Sequence, residues 1–281
     1  MEINKDTSRT LLFSVRGLTK RFPLGLKDSD RPKGSDADHG FEALSNVDLD
    51  IYEGECLLVA GANGSGKTLL MRMLANLMEP TEGEILFRGK SLDICKGSIR
   101  RSVGLVFQDA DVQILGETVE EDIRFGPENL KLAENEVDNR LEEALAALEL
   151  SSKRDFSARR LSGGEKRRLA VAGVLAMGCD TIIMDEPFAN LDWPGVIQVL
   201  KIIRDLKKTG KTIIILTHEL EKVLAFADRL VILAGGKIRD QGESGAVLDR
   251  LDPAWGVRDP RKVYRNAEDC TWLDELDETK N

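Results

Sequence analysis

The sequence predicts an α/β fold built on a largely parallel sheet, and three observations lead to it. Short apolar runs of strand character alternate along the chain with helix-like segments. A glycine-rich stretch at 61–68 stands between one such run and a helical one. A further apolar run, 181–184, ends in two adjacent carboxylates, Asp185 and Glu186.

In chain order, 56–60, 103–107, 181–184, 212–216 and 230–233 read as short buried strands. Residues 134–150 predict a helix with Val137, Leu141, Leu145 and Leu148 on one face, and 197–206 a second amphipathic helix. There is no internal repeat. Two stretches break the pattern. Residues 23–40 are rich in Gly, Pro and Asp and predict an exposed, mobile loop. The tail after about Gly242 carries Trp255, Trp272 and a final acidic run, DELDE. Because aromatic side chains are mostly buried, packing on the domain is favoured over contact with a partner.

Composition narrows the function classes. A chain of 281 residues with 42% hydrophobic and 32% charged residues fits a soluble globular protein with a sizeable core. A net charge of −9 and a pI near 5.0 argue against a general nucleic-acid binder. Cys56, Cys95, Cys179 and Cys270 lie far apart with no CxxC or Cys/His cluster, so neither a metal site nor a disulfide framework is expected. The N-terminus is polar, unlike a signal peptide, and the longest apolar segment, 169–177, is too short to span a bilayer. Work at a membrane would require other subunits to hold the chain there.

The strongest chemical signal is Gly61-Ala62-Asn63-Gly64-Ser65-Gly66-Lys67-Thr68, which fits G-x-x-x-x-G-K-[ST] and follows CLLVA. Glycines let the backbone wrap so that its N–H groups point at phosphate oxygens, and the following helix N-terminus adds positive potential. Lys67 is placed for the β- and γ-phosphates, and the Thr68 hydroxyl for Mg²⁺. Asp185 and Glu186 stand at the carboxyl edge of the predicted sheet, where ligands bind in open α/β folds. Alone they could form a solvated turn. Beside a phosphate loop, Asp185 reads as a Mg²⁺ holder and Glu186 as the general base for water. Leu161-Ser162-Gly163-Gly164-Glu165 contains a capping box, Ser162 with Glu165, and also a second anion cradle at a helix start. Two cradles in one chain point to a site shared between two chains.

With these residues in place the sequence resembles the ABC (ATP-binding cassette) ATPases along nearly its whole length. The family's elements occur in order: the P-loop, the Q-loop at Gln108 and the signature LSGGE. The Walker B acids Asp185-Glu186, the D-loop Ala189-Asn190-Leu191-Asp192 and the switch histidine His218 follow. The resemblance implies that ATP is the substrate, that Glu186, His218 and Gln108 are catalytic, and that Thr68, Gln108 and Asp185 hold Mg²⁺. It also places an aromatic ring against adenine, which is Phe22, with Phe41 as the alternative; a core role is the plain reading of either. The stretches 106–114, 118–127 and 168–177 are similar to the cobalt/nickel and energy-coupling-factor importers, with Ala110 where proline is usual.

The implied architecture is a RecA-like P-loop NTPase core at about 1–108 and 161–241, with an N-terminal antiparallel β segment. A helical subdomain occupies about 109–160 and a C-terminal extension 242–281. The implied assembly is a head-to-tail dimer, homodimeric or with a related ATPase subunit. Ser162, Gly163 and Gly164 would serve the partner's ATP. Integral membrane transporter subunits would hold the pair at the cytoplasmic face of the cell membrane. The expected function is to energise import of a metal ion or vitamin-type micronutrient. Alternatives are an exporter motor, a soluble ABC ATPase acting elsewhere, or a non-hydrolysing nucleotide binder. The last conflicts with the presence of both Glu186 and His218.

Overall fold

In the computed structural model the described residues are 9–23 and 41–261. Most of the expected mobile loop, together with Cys270, Trp272 and the acidic run, lies outside them. The chain opens with β1 (Leu11–Phe22), β2 (Phe41–Tyr52) and β3 (Cys56–Ala60), then α1 (Lys67–Leu74). Next come β4 (Glu82–Phe87), β5 (Lys90–Ser91), α2 (Lys96–Ser102) and β6 (Val103–Val106). The helices α3 (Val119–Asn129), α4 (Glu134–Ala147) and α5 (Gly163–Ala176) lead to β7 (Thr181–Asp185). After α6 (Trp193–Lys208) and β8 (Thr212–Thr217) the chain makes one turn of helix, α7 (Leu220–Val223). It then forms β9 (Arg229–Ala234), β10 (Lys237–Glu243) and α8 (Ser244–Leu248).

The strands form two sheets among the described residues. One is antiparallel, in the order β2-β1-β4-β5. The other runs β10-β9-β3-β8-β7-β6 and is parallel except for β10. A strand covered on both faces reads as an unbroken apolar run, and its alternate side chains enter different cores. Cys56, Leu58 and Ala60 of β3 join the core against α3–α6, while Leu57 and Val59 join the core between the sheets and α1. Ile213 and Ile215 of β8 divide from Ile214 and Leu216 in the same way. The central sheet is thereby fixed from both sides.

Every expected strand is present, with ends shifted by about a residue. β6 stops at Val106 because the Phe107 N–H donates to Gln113 Oε1 (3.0 Å) rather than to a neighbouring strand. The helix expected over 134–150 ends at Ala147, although all four predicted face residues are buried. Beyond it Glu149 takes a left-handed conformation (φ +55°). The Leu150 N–H donates to the Leu145 carbonyl (2.8 Å) and that of Glu149 to Ala146 (3.2 Å), closing the helix with a Schellman motif. Glutamate stands where glycine is usual, so composition did not signal the stop. Ile197 to Leu206 lies inside the longer α6, whose buried residues include Val196, Val199, Ile203 and Leu206. Cys56, Cys95 and Cys179 are free and buried. Trp255 packs partly buried against the α3–α6 core, a core that also includes buried Val247 and Val257.

The Schellman closure separates two substitutions. Leu150→Ala removes a wholly buried side chain and is expected to cost about 2–5 kcal/mol of unfolding free energy. Glu149→Gly suits the left-handed position and is expected to be neutral or mildly stabilising. Urea unfolding of the two variants beside the wild type measures both.

Candidate active site

The phosphate-loop sequence leaves buried β3 and turns sharply. Gly61 accepts no substitute there: a Cβ would lie 2.2 Å from the Leu233 carbonyl oxygen and 2.6 Å from Ser65 Oγ. Gly66 enters α1 with φ +107°, and a Cβ on it would meet Leu44 Cδ2 at 2.5 Å. Gly66 caps α1 without any side-chain hydrogen bond. The first N–H groups of the helix are therefore unclaimed by a cap, at the end where the helix dipole favours an anion. Ala62, Asn63 and Gly64 are exposed, whereas Ser65 is buried and its hydroxyl has no hydrogen-bond partner. The buried ammonium of Lys67 donates to the carbonyls of Gly61 (2.6 Å) and Ala62 (3.2 Å).

The strand order β3-β8-β7 brings three carboxyl-terminal ends together at this loop. Thr68 Oγ1 donates to Asp185 Oδ2 (2.8 Å). Glu186 has φ +44°, a conformation costing a non-glycine residue about 1–3 kcal/mol. Its N–H is held by the Leu216 carbonyl (2.8 Å). Glu186 Oε2 accepts from Thr217 Oγ1 (3.0 Å) and the His218 N–H (3.4 Å), and lies 3.0 Å from His218 Nδ1. Glu186 Oε1 lies 3.3 Å from Lys67 Nζ, close enough for ionic attraction but outside hydrogen-bond geometry. Asp185 Oδ1 is also buried without a partner.

Two buried carboxylates thus face one buried ammonium. Burial pushes the Asp185 carboxyl up from its ordinary range, the Thr68 hydrogen bond pulls it back, and the charge of Glu186 raises it again. An unpartnered carboxylate oxygen beside a threonine hydroxyl is a hard-oxygen donor set, which suits Mg²⁺ bound mainly through phosphates and water. The residues present fit that ion.

The structure does not gather every predicted residue here. Gln108 is exposed, and its carbonyl accepts from Arg167 Nη2 (2.6 Å). Ser162, Gly163 and Gly164 line another cavity of about 450 Å³ with Asn190, Leu191 and Asp192, and none of residues 61–68 lines it. The capping box is real: Ser162 Oγ accepts from the Glu165 N–H (3.3 Å), and Glu165 Oε2 from the Ser162 N–H (2.8 Å). Phe22 and Phe41 are cross-strand partners, exposed by 36% and 62%, which removes the core role for either. A larger cavity of about 700 Å³ beside α4 and α6 contains none of these catalytic candidates. Sequence reasoning missed Thr217, the buried hydroxyl on Glu186. Its one signal is a polar residue ending an otherwise apolar run.

The family model described as ABC transporter matches residues 44–189. The cobalt import ATP-binding protein CbiO of Rhodobacter capsulatus is 39% identical, over 90% of this chain and 87% of its own. The energy-coupling factor transporter ATP-binding protein EcfA of Methanocaldococcus jannaschii is 41% identical, over 76% of this chain and 77% of its own. Among solved structures, CbiO1 of Clostridium perfringens, part of a CbiONQ transporter complex, superposes with a TM-score of 0.73 at 33% identity. It covers 85% of this chain and 91% of that one. An ABC transporter cassette solved as a dimer gives 0.70 at 26% identity, covering 83% of this chain and 99% of that one.

The cap at Ser162 carries a pH dependence. The Glu165 carboxyl is held at about 2 against an ordinary 4.5, first by a hydrogen bond from Lys153 and then by the Ser162 N–H. A depressed folded value means that the unfolded chain binds this proton more readily. The contribution is therefore complete above about pH 4.5 and lost as pH falls toward 2. Glu165→Gln is expected to be less stable at neutral pH, and its deficit should close through that window. Denaturant unfolding of both proteins along a pH series reads the gap.

Proposed function

The chain belongs to the ABC transporter family as an ATP-binding ATPase subunit, and from that premise we propose that it powers the import of a metal ion or vitamin-type micronutrient. The observation that carries the chemical side is the meeting of Lys67, Thr68, Asp185, Glu186 and His218 at one sheet edge. The import side is supported by relatives named for cobalt import and energy coupling.

In this reading residues 61–68 cradle the phosphates of ATP, with the unclaimed N–H groups of α1 aimed at them. Lys67 exchanges its two carbonyl acceptors for phosphate oxygens. Thr68, Asp185 and Gln108 would hold Mg²⁺, which would supply positive charge against the phosphates. Glu186 Oε2 is fixed by Thr217 and His218, which leaves Oε1 as the oxygen that takes the proton of the attacking water. His218, about half exposed, orients that carboxylate and contacts the γ-phosphate. Phe22 stacks on adenine, with Phe41 beside it as the alternative.

Ser162, Gly163 and Gly164 then serve a partner's nucleotide, since they line a cavity apart from this chain's own phosphate loop. The assembly is a homodimer or a pair with a related subunit, held by integral membrane subunits at the cytoplasmic face of the membrane. Among the described residues no helix is long and apolar enough to cross a membrane. The parts divide as a core (about 1–108 and about 161–241), a helical portion (about 109–160) and an extension (about 242–281).

Glu186→Gln preserves size while removing the proton acceptor. Hydrolysis is expected to fall by on the order of 10²–10⁴-fold, with Mg-ATP still bound and a dimer persisting on size-exclusion chromatography. Hydrolysis at the wild-type rate would remove Glu186 from the mechanism. Lys67→Ala should instead lose binding of a labelled ATP analogue. For the transport reading, the chain co-expressed with its membrane partners should support ATP-dependent uptake of the imported solute into vesicles. Export in that assay, or purification without any membrane protein, favours the alternatives.

A further inference from the structure

We infer that Arg167 is a positioning residue that rivets the Gln108 loop to the helix bearing Ser162-Gly163-Gly164, so that closure at one nucleotide site is felt at the other. The inference rests on the roles proposed above for Gln108 and Ser162.

Arg167 stands in α5, three residues beyond Gly164, and is 3% exposed. Its guanidinium donates through Nη1 to the Phe107 carbonyl and through Nη2 to that of Gln108 (2.6 Å). These residues directly follow the end of β6, where strand pairing has stopped. The planar fork supplies two donors to successive carbonyls there. Nε is buried without a hydrogen-bond partner. Burial lowers the affinity of the group for its proton, and the negative charge of Asp109 opposes that effect. A buried cation whose hydrogen bonds run to a loop main chain costs more than an apolar residue that merely fills space.

Two weaker links lie beside it. Lys166 Nζ meets Asp111 Oδ1 at 2.5 Å in an exposed pair, which contributes little by itself. Gln113 accepts from the Phe107 N–H and donates to the carbonyls of Leu105 (3.0 Å) and Ala170 (3.4 Å). The loop 107–113 is thus tied to the first two turns of α5, with Arg167 as its buried charged tie. The Gln108 main chain is fixed to α5 while the residue itself is exposed. In the proposed dimer the N-terminus of α5 meets the partner's ATP, and Gln108 meets this chain's own. A tilt of α5 on closure therefore moves Gln108.

A double-mutant cycle on the full chain tests this. Arg167→Met is expected to lower kcat by about 10–100-fold, the effect of a small misplacement at a reacting centre. Affinity for a labelled ATP analogue should stay within about twofold, because the phosphate loop is untouched. The Hill coefficient for ATP should drop toward one, and Arg167→Lys should recover part of kcat. Gln108→Ala combined with Arg167→Met should be no slower than the slower single variant, since Arg167 acts through Gln108. Losses that multiply in the double variant, with Gln108→Ala slow on its own, overturn the role of Arg167 alone. Gln108→Ala at the wild-type kcat overturns the Gln108 reading instead. If Arg167→Met does not fold, Arg167→Lys enters the same cycle: multiplied losses refute the coupling, and non-additive ones support it.

Discussion

The fold is organised around a charge imbalance that it buries. Lys67, Asp185 and Glu186 are each at most 6% exposed, and together they carry one more negative charge than positive. Removing Lys67 would leave two buried carboxylates with no cation between them, an uncompensated arrangement that is strongly destabilising. The geometry must therefore be held by something stiffer than the side chains themselves. That stiffness comes from β3, β8 and β7, whose residues pack into separate cores on the two faces of the sheet. Their order sets Lys67, Thr217 with His218, and Asp185 with Glu186 side by side. Ordinary apolar burial thus becomes positional accuracy at a polar site.

The same rigidity sustains local strain. Glu186 keeps a left-handed backbone because its N–H is held by Leu216 and its carboxylate by Thr217 and His218. Such strain persists where the surroundings over-determine it, most often at functional sites. The separation of the two anion cradles is a constraint of a different kind. The cradle at Ser162 is built and capped, yet the Gly61–Lys67 loop is absent from its walls. In the proposed dimer these are halves of two different sites, and that separation is the physical argument for a partner copy.

Much of this was legible in the sequence, for identifiable reasons. The central strands were readable because two-faced burial writes continuous Ile, Val and Leu runs, such as TIIILT. Asp185, Glu186 and His218 were readable because each stands at or just past a strand end, and Lys67 and Thr68 because they close the Gly61–Thr68 pattern that follows β3. The end of α4 was not, since a glutamate fills the left-handed position and only tertiary burial of Leu145 and Leu150 favours the turn. Thr217 and Arg167 escaped because their meaning lies in partners 31 and 60 residues away, which no local pattern announces. Arg167 stands between Lys166 and Arg168 in the chain, yet it is the buried one of the three.

The two buried cations among the described residues show how residue choice divides the work. Lys67 and Arg167 each rest on a pair of consecutive main-chain carbonyls, those of 61 and 62 and those of 107 and 108. An ammonium on a flexible stem is a point charge with rotatable donors, so it can leave carbonyls for phosphate oxygens without a fixed geometry to satisfy. A guanidinium presents a planar fork that fixes the directions of its donors relative to one another. In the proposed mechanism the lysine therefore suits the position where partners change during turnover, and the arginine the position where loop and helix move as one body. Exchanging them would give a phosphate loop that grips its own backbone and a Gln108 loop that slips. Arg167→Lys is for that reason expected to restore charge more fully than coupling.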